Sequence, residues 1–275
     1  MKKWQASLSE TDFDRLYSLL KKQDWLVEKD EAFKNLWMEC DCNDKKDLLI
    51  ELLERFSFIK DKEQKSLEEN LFNQIENVWK INLKESVFIP TSDGSTPDSS
   101  VWFIYSFRQH FLEYLNAQFY DRITKCWKCR SNNNLVLLDD FIGSGSTLIR
   151  KIAYLKSNRP KCRIFCMSLT GMDHGIKNIK SNFPDIDIYV AYTFKKGISD
   201  YYKNYSEMQN KKKILKDITD GMLIKKRKEY LGFKKTEALY AYENYKNMSN
   251  NVFPIFWGEN EKKLKTLFVR KEKNG

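Results

Sequence analysis

The spacing of apolar residues changes at about residue 86. Before that point, apolar residues recur every three or four positions, which is typical of amphipathic helices. Ser9-Glu10-Thr11-Asp12 is a helix-start sequence, and Phe13, Leu16, Tyr17 and Leu20 follow it on one predicted buried stripe. The same spacing predicts helices at 47–58 and 67–79. Residues 1–85 are therefore predicted to form an N-terminal helical layer.

After residue 86, short apolar runs alternate with helical stretches. This alternation predicts an α/β fold with a mostly parallel sheet flanked by helices, formed by residues 86–275. The predicted strands are Val87–Pro90, Leu135–Asp139, Ile164–Ser168 and Ile186–Tyr192, with another near Ala238–Tyr242. The predicted helices between them cover 101–119, 147–157 and about 172–182. Each of the first four strands leads into a glycine-containing loop, so these loops are expected to meet in one crevice at the carboxyl edge of the sheet.

Charge is distributed unevenly along the 275 residues. Residues 1–100 carry 15 basic and 21 acidic side chains, whereas residues 101–275 carry 33 and 17. The densest part, a predicted basic helical insertion at about 195–235, holds 13 basic and 5 acidic residues. Its candidate nucleic-acid-binding residues are Lys211, Lys212, Lys213, Lys225, Lys226, Arg227 and Lys228. Such a surface attracts polyanions, although a solvated lysine-rich helix has the same composition.

Two classes of protein are disfavoured by the sequence. No apolar stretch is long enough to cross a bilayer, and no apolar signal segment precedes Glu10, so a cytoplasmic protein without a membrane partner is expected. Cys40 and Cys42, with Cys126 and Cys129, could supply four thiolates to zinc. Their spacing matches known zinc sites poorly, so no metal site is assigned and reduced structural thiols are predicted.

The stretch most informative about chemistry is Leu135 to Leu148. Its apolar strand ends in Asp139 and Asp140, and a loop containing Gly143, Ser144, Gly145, Ser146 and Thr147 then opens a helix. Glycines allow backbone N–H groups to face an anion, hydroxyls add donors, and the helix amino terminus adds a positive dipole end. These features predict a phosphate cradle beside two acids that can hold sugar hydroxyls. The lysine of a P-loop and the third glycine of a dinucleotide fingerprint are missing.

This stretch resembles the phosphoribosyl-pyrophosphate motif of type I phosphoribosyltransferases. In that motif two acids hold the ribose hydroxyls and the following loop holds the 5′-phosphate, which implies those roles for Asp139, Asp140 and residues 143–147. Longer segments resemble the phosphoribosyltransferase-like PRTase-CE proteins of bacterial anti-phage and retron systems. They include Asp98-Ser99-Ser100, Lys196 to Asp200, and Phe256-Trp257. The resemblance implies a type I phosphoribosyltransferase-like fold.

Two departures from the family pattern affect the expected chemistry. Many purine-using members have an acid that acts as general base at the position of Gly143, and glycine cannot do this. Little room is left between the predicted helix ending at Phe119 and the strand at Leu135 for a second strand and a long catalytic flap. Binding of a sugar phosphate is therefore predicted more strongly than transfer.

A second anion site is predicted in the loop from Thr91 to Ser100. Asp98, Ser99 and Ser100 precede an apolar helix, where a capped amino terminus could hold pyrophosphate or could simply be a cap. Mg²⁺ bridging the pyrophosphate, together with Lys195 and Lys196, would neutralise its charge. Of the two histidines, His110 lies inside a predicted helix, whereas His174 follows a strand and is the candidate for acid–base catalysis.

These features favour two functions. The first is an anti-phage effector that binds phosphoribosyl pyrophosphate or a nucleotide-like molecule and acts on its ribosyl phosphate. The second is an inactive phosphoribosyltransferase fold that serves as a nucleic-acid-binding or scaffold subunit of a ribonucleoprotein complex. The resemblance implies a reverse transcriptase with its RNA/DNA product, and a helix-turn-helix protein, as partners.

Overall fold

The computed structural model describes residues 9–91, 99–110, 117–128, 134–244 and 247–270. The α-helices of these residues are α1 (Glu10–Lys22), α2 (Asp30–Met38), α3 (Asn43–Glu54), α4 (Asp61–Asn73), α5 (Ser99–His110), α6 (Ser146–Asn158), α7 (Asp173–Asn182) and α8 (Tyr205–Gly221). The strands are β1 (Ser57–Ile59), β2 (Ser86–Pro90), β3 (Gln118–Phe119), β4 (Asn134–Ile142), β5 (Arg163–Met172), β6 (Asp187–Phe194) and β7 (Tyr240–Tyr242). A π-helical turn, Gln74–Trp79, continues α4. None of the described helices has the length and apolar character needed to cross a membrane.

The chain forms two compact units, which do not follow the predicted boundary at residue 85. Residues 1–61 and 196–275 form the first unit, and residues 62–195 form the second. The segment after residue 61 belongs with the sheet because its aromatic side chains pack there. The ring of Phe72 lies 4.7 Å from that of Phe107, and the ring of Trp79 lies 4.9 Å from that of Phe165.

The second unit contains a five-stranded sheet in the order β3-β2-β4-β5-β6. All four neighbouring pairs are parallel, which confirms the predicted α/β fold with a parallel sheet flanked by helices. β4 and β5 lie in the middle and are almost fully buried, as is usual for strands covered on both faces. The acid pair predicted to carry the chemistry, at the end of β4, is therefore anchored in the buried part of the sheet.

Helices cover both faces of this sheet. On one face, Leu135 and Leu137 of β4 share a buried cluster with Ile152 and Leu155 of α6. The same cluster includes Ile179 of α7. The opposite face carries aromatic residues, which include the contact of Trp79 with Phe165 described above. Alternate side chains of a strand point to opposite faces, so each long apolar run contributes side chains to the core on both faces of the sheet.

The predicted helix at 101–119 is wrong at its end. α5 is described as Ser99–His110, and Gln118–Phe119 form β3, parallel to β2 at the edge of the sheet. The Phe119 ring stacks on that of Phe88 at 4.9 Å, so an apolar residue that fitted the helical spacing packs in the sheet instead. An additional strand is thus present where the sequence left little room for one.

The first unit corrects two predictions about the N-terminal helices. The predicted helix at 47–58 ends at Glu54, and Ser57–Ile59 form β1, which pairs with β7 in parallel. On α1, Leu16 and Leu19 are buried, whereas Phe13 and Tyr17 are 60% and 54% exposed. The two exposed rings stack on each other at 6.3 Å. The buried stripe of α1 is therefore rotated around the helix axis, to the side next to the predicted one.

This correction can be tested by comparing Leu19→Ala with Phe13→Ala. Leu19 is fully buried, so its truncation should lower the free energy of unfolding by about 2–5 kcal/mol. Truncation of the exposed Phe13 should cost less than about 1 kcal/mol. Chemical denaturation of the two variants provides the measurement. Equal losses would show that the assignment of the buried face is incorrect.

Candidate functional site

The two predicted acids lie near the carboxyl end of β4. Asp140 is 6% exposed, and Asp139 is half-buried. Oδ1 of Asp139 accepts a hydrogen bond from the backbone N–H of Asp140 at 3.0 Å. The pairing of β4 with β5 joins Asp139 to Ser168 and Phe141 to Thr170, and it skips the position between them. The register is unchanged across Asp140, so the two acids belong to a continuous strand.

The negative charge of Asp139 acts on the nearby thiol of Cys166. Burial raises the pKa of the Cys166 thiol, and the negative charge of Asp139 raises it further. Cys166 belongs to the buried cluster that includes residues of α6 and α7. The carboxylate of Asp139 therefore acts on the sheet face covered by the helix that follows the glycine loop.

The loop after β4 leads directly into α6. Gly145 has a φ of +79°, a conformation that glycine adopts without strain, and it occupies the N-cap position of α6. It provides no side-chain hydrogen bond to the helix, and the first turn of α6 contains no acidic residue. The positive end of the helix dipole is therefore not balanced by an acid of its own first turn.

Helix α7 supports this loop through backbone contact. A Cβ placed on Gly175 would lie 1.9 Å from the carbonyl oxygen of Gly143, and one on Gly145 would lie 2.5 Å from that of Gly175. Asn178 adds a hydrogen bond from Nδ2 to the carbonyl oxygen of Ser144 at 2.9 Å. The prediction from sequence missed Gly175 and Asn178. A glycine in the first turn of a helix was the available signal, since such a glycine usually has a packing reason.

The predicted hydroxyl donors are also brought together. Oγ of Ser144 lies 2.6 Å from Oγ of Ser146, and both side chains are half-buried. Thr147 is exposed in the first turn of α6. Backbone N–H groups at a helix start, together with hydroxyls, form a site suited to a phosphate group.

The predicted pyrophosphate site is described only in part. The N–H of Thr91 donates to the carbonyl oxygen of Leu138 at 3.2 Å, so this loop starts beside the acid pair. Asp98 lies outside the described residues, Ser99 is the first residue of α5, and Ser100 is buried.

The two lysines predicted to assist pyrophosphate belong to different units. Lys195 is exposed directly after β6, whereas Lys196 lies in the first unit, where its N–H donates to Asp200 Oδ2 at 2.9 Å. Only Lys195 is thus placed by the second unit at the carboxyl edge of its sheet.

His174 is the second residue of α7 and is half-buried. It immediately precedes Gly175, whose backbone touches that of Gly143. The fold therefore brings His174 close to residue 143, although the two are far apart in sequence.

The basic residues of the first unit fall into two groups. Lys211 pairs with Glu51 at 2.9 Å and Lys212 with Glu237 at 3.5 Å, and both lysines are largely buried. In contrast, Lys213 is exposed, as are Lys225, Lys226, Arg227 and Lys228. Lys225 pairs with Glu259. Two of the seven residues predicted to contact nucleic acid thus form ion pairs inside the first unit.

Glu237 was not identified from the sequence. It is 1% exposed, and its carboxylate accepts hydrogen bonds from the N–H groups of Ile198 and Ser199 at 3.0 and 2.7 Å. The segment from Lys196 to Asp200 is therefore held in place by a buried acid. Nothing in the local sequence marks Glu237, because its partners lie 38 and 39 positions away.

The cysteines are mostly buried. Cys40, Cys126, Cys162 and Cys166 are buried, Cys42 is exposed, and Cys129 lies outside the described residues. Burial raises the pKa of Cys40 to about 12, so its thiol is protonated at neutral pH.

A parallel sheet with two acids and a glycine-rich loop at the end of its central strand defines a phosphoribosyltransferase-like α/β protein. Residues 36–270 match the model of the PRTase-CE family, and the chain belongs to that family.

Curated relatives match a shorter part of the chain. A uracil phosphoribosyltransferase of Malacoplasma penetrans is 36% identical over 72 residues, which cover 26% of this chain and 34% of the relative. The enzyme of Methanococcus vannielii is 36% identical over 60 residues, which cover 22% and 26%. The chain thus spans between about a quarter and a third of the length of these relatives.

Solved structures match over about half of the chain. The AQ2163 protein of Aquifex aeolicus has a TM-score of 0.36 at 16% identity, covering 55% of this chain and 84% of that protein. The xanthine-guanine-hypoxanthine phosphoribosyltransferase of Helicobacter pylori has a TM-score of 0.33 at 11% identity, covering 50% and 84%.

The contact between α7 and the loop predicts a specific sensitivity to Gly175→Ala. The added methyl group would overlap the Gly143 carbonyl, so unfolding free energy should fall by about 1–3 kcal/mol. Gly221→Ala is the matched control, because its Cβ would meet only Glu39 Oε2 at 4.0 Å. That change should be neutral or slightly stabilising. Thermal unfolding of both variants measures the difference, and similar melting temperatures would contradict the close contact.

Proposed function

We propose that this chain binds phosphoribosyl pyrophosphate or a nucleotide-like molecule and acts on its ribosyl phosphate. The 5′-phosphate would lie on residues Gly143 to Thr147, and Asp139 and Asp140 would hold the ribose hydroxyls. The observation that carries the proposal is the position of both acids on the strand that enters an α6 amino terminus without a side-chain cap. Membership of the PRTase-CE family and the match to uracil phosphoribosyltransferases support it.

The acid pair suits the chemistry of a ribosyl group. Loss of pyrophosphate or of a base leaves positive charge on the ribose, and nearby carboxylates fixed by the fold stabilise such charge. The same carboxylates are hard oxygen donors, which fit Mg²⁺. This ion is commonly held by one or two carboxylates together with the phosphates of a substrate. When bound, Mg²⁺ would neutralise pyrophosphate charge, while Asp139 and Asp140 orient the sugar.

His174 is proposed as the acid–base group. Gly143 provides no side chain at the position where many relatives carry a base, so a proton acceptor has to come from another element. The backbone of α7 touches Gly143 through Gly175, and His174 is the neighbouring residue. Histidine exchanges protons near neutral pH, which suits this role.

The proposed biological role is that of an effector in a bacterial anti-phage system of the retron type. This role rests on the sequence resemblance of segments beyond the central motif. It implies an RNA/DNA-bound reverse transcriptase and a helix-turn-helix protein as partners. Activity on a nucleotide-like metabolite would then limit growth of the infected cell.

The binding site is tested by calorimetry with phosphoribosyl pyrophosphate and Mg²⁺. Asp139→Asn/Asp140→Asn removes two charged acceptors of sugar hydroxyls, and each is worth about tenfold or more in affinity. The double variant should therefore bind at least about 100-fold more weakly. Asp185→Asn/Asp187→Asn is the control, since it removes the same charge at the opposite edge of the sheet, where these acids pair with Lys156 and Arg163.

Three results would test, one by one, the binding site, the acid–base residue and the effector role. Absence of binding by the parent chain, or equal binding by both double variants, would contradict the site. His174→Gln should retain ligand affinity and lose turnover, and unchanged turnover would remove His174 from the mechanism. In a phage challenge, protection that survives Asp139→Ala/Asp140→Ala would contradict an effector role for this site.

A second candidate function is a nucleic-acid-binding or scaffold subunit that lacks catalysis. The observation that favours it is the exposure of Lys225, Lys226, Arg227 and Lys228 in the first unit, which also exposes the rings of Tyr201 and Tyr205 by 56% and 73%. Cations bind the phosphate backbone, and exposed aromatic rings stack on bases.

This alternative is tested by titrating an RNA–DNA hybrid at several salt concentrations. Neutralising residues 225–228 with glutamine should reduce the slope of log affinity against log salt by about 3 to 4. The control replaces four exposed lysines elsewhere, Lys62, Lys65, Lys84 and Lys161, with glutamine. Equal slopes for the two variants would show that the 225–228 segment is not the contact surface.

A further inference from the structure

A cleft separate from the acid pair lies beside α6 in the second unit. It has a volume of about 310 Å³ and is lined by Ile123, Thr124, Arg150, Lys151 and Tyr154. This size is at the lower end of the range of about 300–1,000 Å³ found for small-molecule sites. Three lining residues come from α6, and the other two come from the 3-10 helix Ile123–Lys128.

The walls of the cleft are fixed by the core. Ile123 and Cys126 share a buried cluster with Ile152 and Leu155, which lie on α6 between and beyond the lining residues. The side chain of Arg159 adds a hydrogen bond from Nε to the carbonyl oxygen of Cys126 at 2.9 Å. A cleft with walls joined in this way exists before a ligand binds, which lowers the entropy cost of binding.

The walls are strongly basic. The two helices together carry five basic residues and no acidic ones: Lys125, Lys128, Arg150, Lys151 and Lys156. Lys125 pairs with Asp121 and Lys156 with Asp185, so acids from other segments neutralise these two. Among the described residues, Arg150 forms no ion pair. Its guanidinium group is exposed beside the cleft, and guanidinium groups bind phosphate in a bidentate manner.

The other lining groups suit a nucleoside. The ring of Tyr154 is 39% exposed and offers a face on which a base can stack. Thr124 provides a hydroxyl, and Ile123 provides an apolar wall. Lys151, which is 8% exposed, completes the wall. Cations next to an aromatic ring match a ligand that has both a phosphate and a planar base.

We propose that this cleft binds a nucleoside monophosphate at a site distinct from the Asp139–Asp140 site. Arg150 binds the phosphate, and Tyr154 stacks on the base. The proposal does not depend on the function proposed above, because no residue is shared between the two sites. It adds a second ligand position on the helix that begins at the glycine loop.

The test is calorimetry of the full chain with AMP, GMP, CMP or UMP, in the presence of saturating ribose 5-phosphate to occupy the other site. Arg150→Gln should weaken binding of the best nucleotide about tenfold or more. Tyr154→Ala should weaken nucleotide binding to a similar extent while inorganic phosphate binds unchanged. Tyr154→Phe keeps the ring and should bind as the parent does. Lys161→Gln, an exposed lysine just beyond α6, is the charge-matched control and should stay within about twofold of the parent.

Two results would overturn the proposal. One is absence of binding by all four nucleotides, and the other is equal affinity of the Arg150→Gln variant and the parent. Failure of ribose 5-phosphate to bind would contradict the Asp139–Asp140 site but would leave the nucleotide titration interpretable. The two proposals can therefore fail independently.

Discussion

The arrangement of the proposed site depends on close backbone contact between the loop after β4 and the first turn of α7. Neither Gly145 nor Gly175 has room for a Cβ, since one on Gly145 would meet the Gly175 carbonyl oxygen and one on Gly175 would meet the Gly143 carbonyl oxygen. This contact fixes the direction in which α6 starts and therefore where its free N–H groups lie. The acids lie near the end of β4 and His174 lies in the first turn of α7, so the same contact brings these two elements together. A loop held only by side chains would be free to adopt other conformations. The acids would then have no phosphate-binding loop at a fixed position beside them.

Ion pairs in the first unit show how a basic sequence can be divided between stability and surface charge. Lys211 and Lys212 are neighbours in a run of three lysines, yet both are used inside the unit, by Glu51 and Glu237. Glu237 is buried and needs a compensating charge, because an isolated buried carboxylate is costly. The remaining exposed cations contribute to the electrostatic field outside the protein. Composition alone counts both groups as one patch, so it overestimates the area available to a polyanion.

The parallel sheet could be predicted because β2, β4 and β5 contain continuous apolar runs, as buried parallel strands require, and the edge strand β6 also contains a short apolar run. The acid pair and the glycine loop could be located because they are local in sequence. Predictions failed where distant packing decides the outcome. Phe119 fits a helical spacing but pairs beside β2, and the segment after residue 61 packs against the sheet rather than with the helices before it. Gly175, Asn178 and Glu237 act on residues more than 30 positions away, so no local pattern reveals their partners.

The missing base at Gly143 and the position of His174 are linked by geometry. The carbonyl oxygen of Gly143 lies 1.9 Å from where a Cβ on residue 175 would be. Glycine at 175 therefore allows α7 to approach the loop, and this approach brings His174, the neighbouring residue, beside the loop. Under the proposed function, His174 on α7 would supply the base that Gly143 lacks. A neutral imidazole can accept a proton, which is what a base at this site needs.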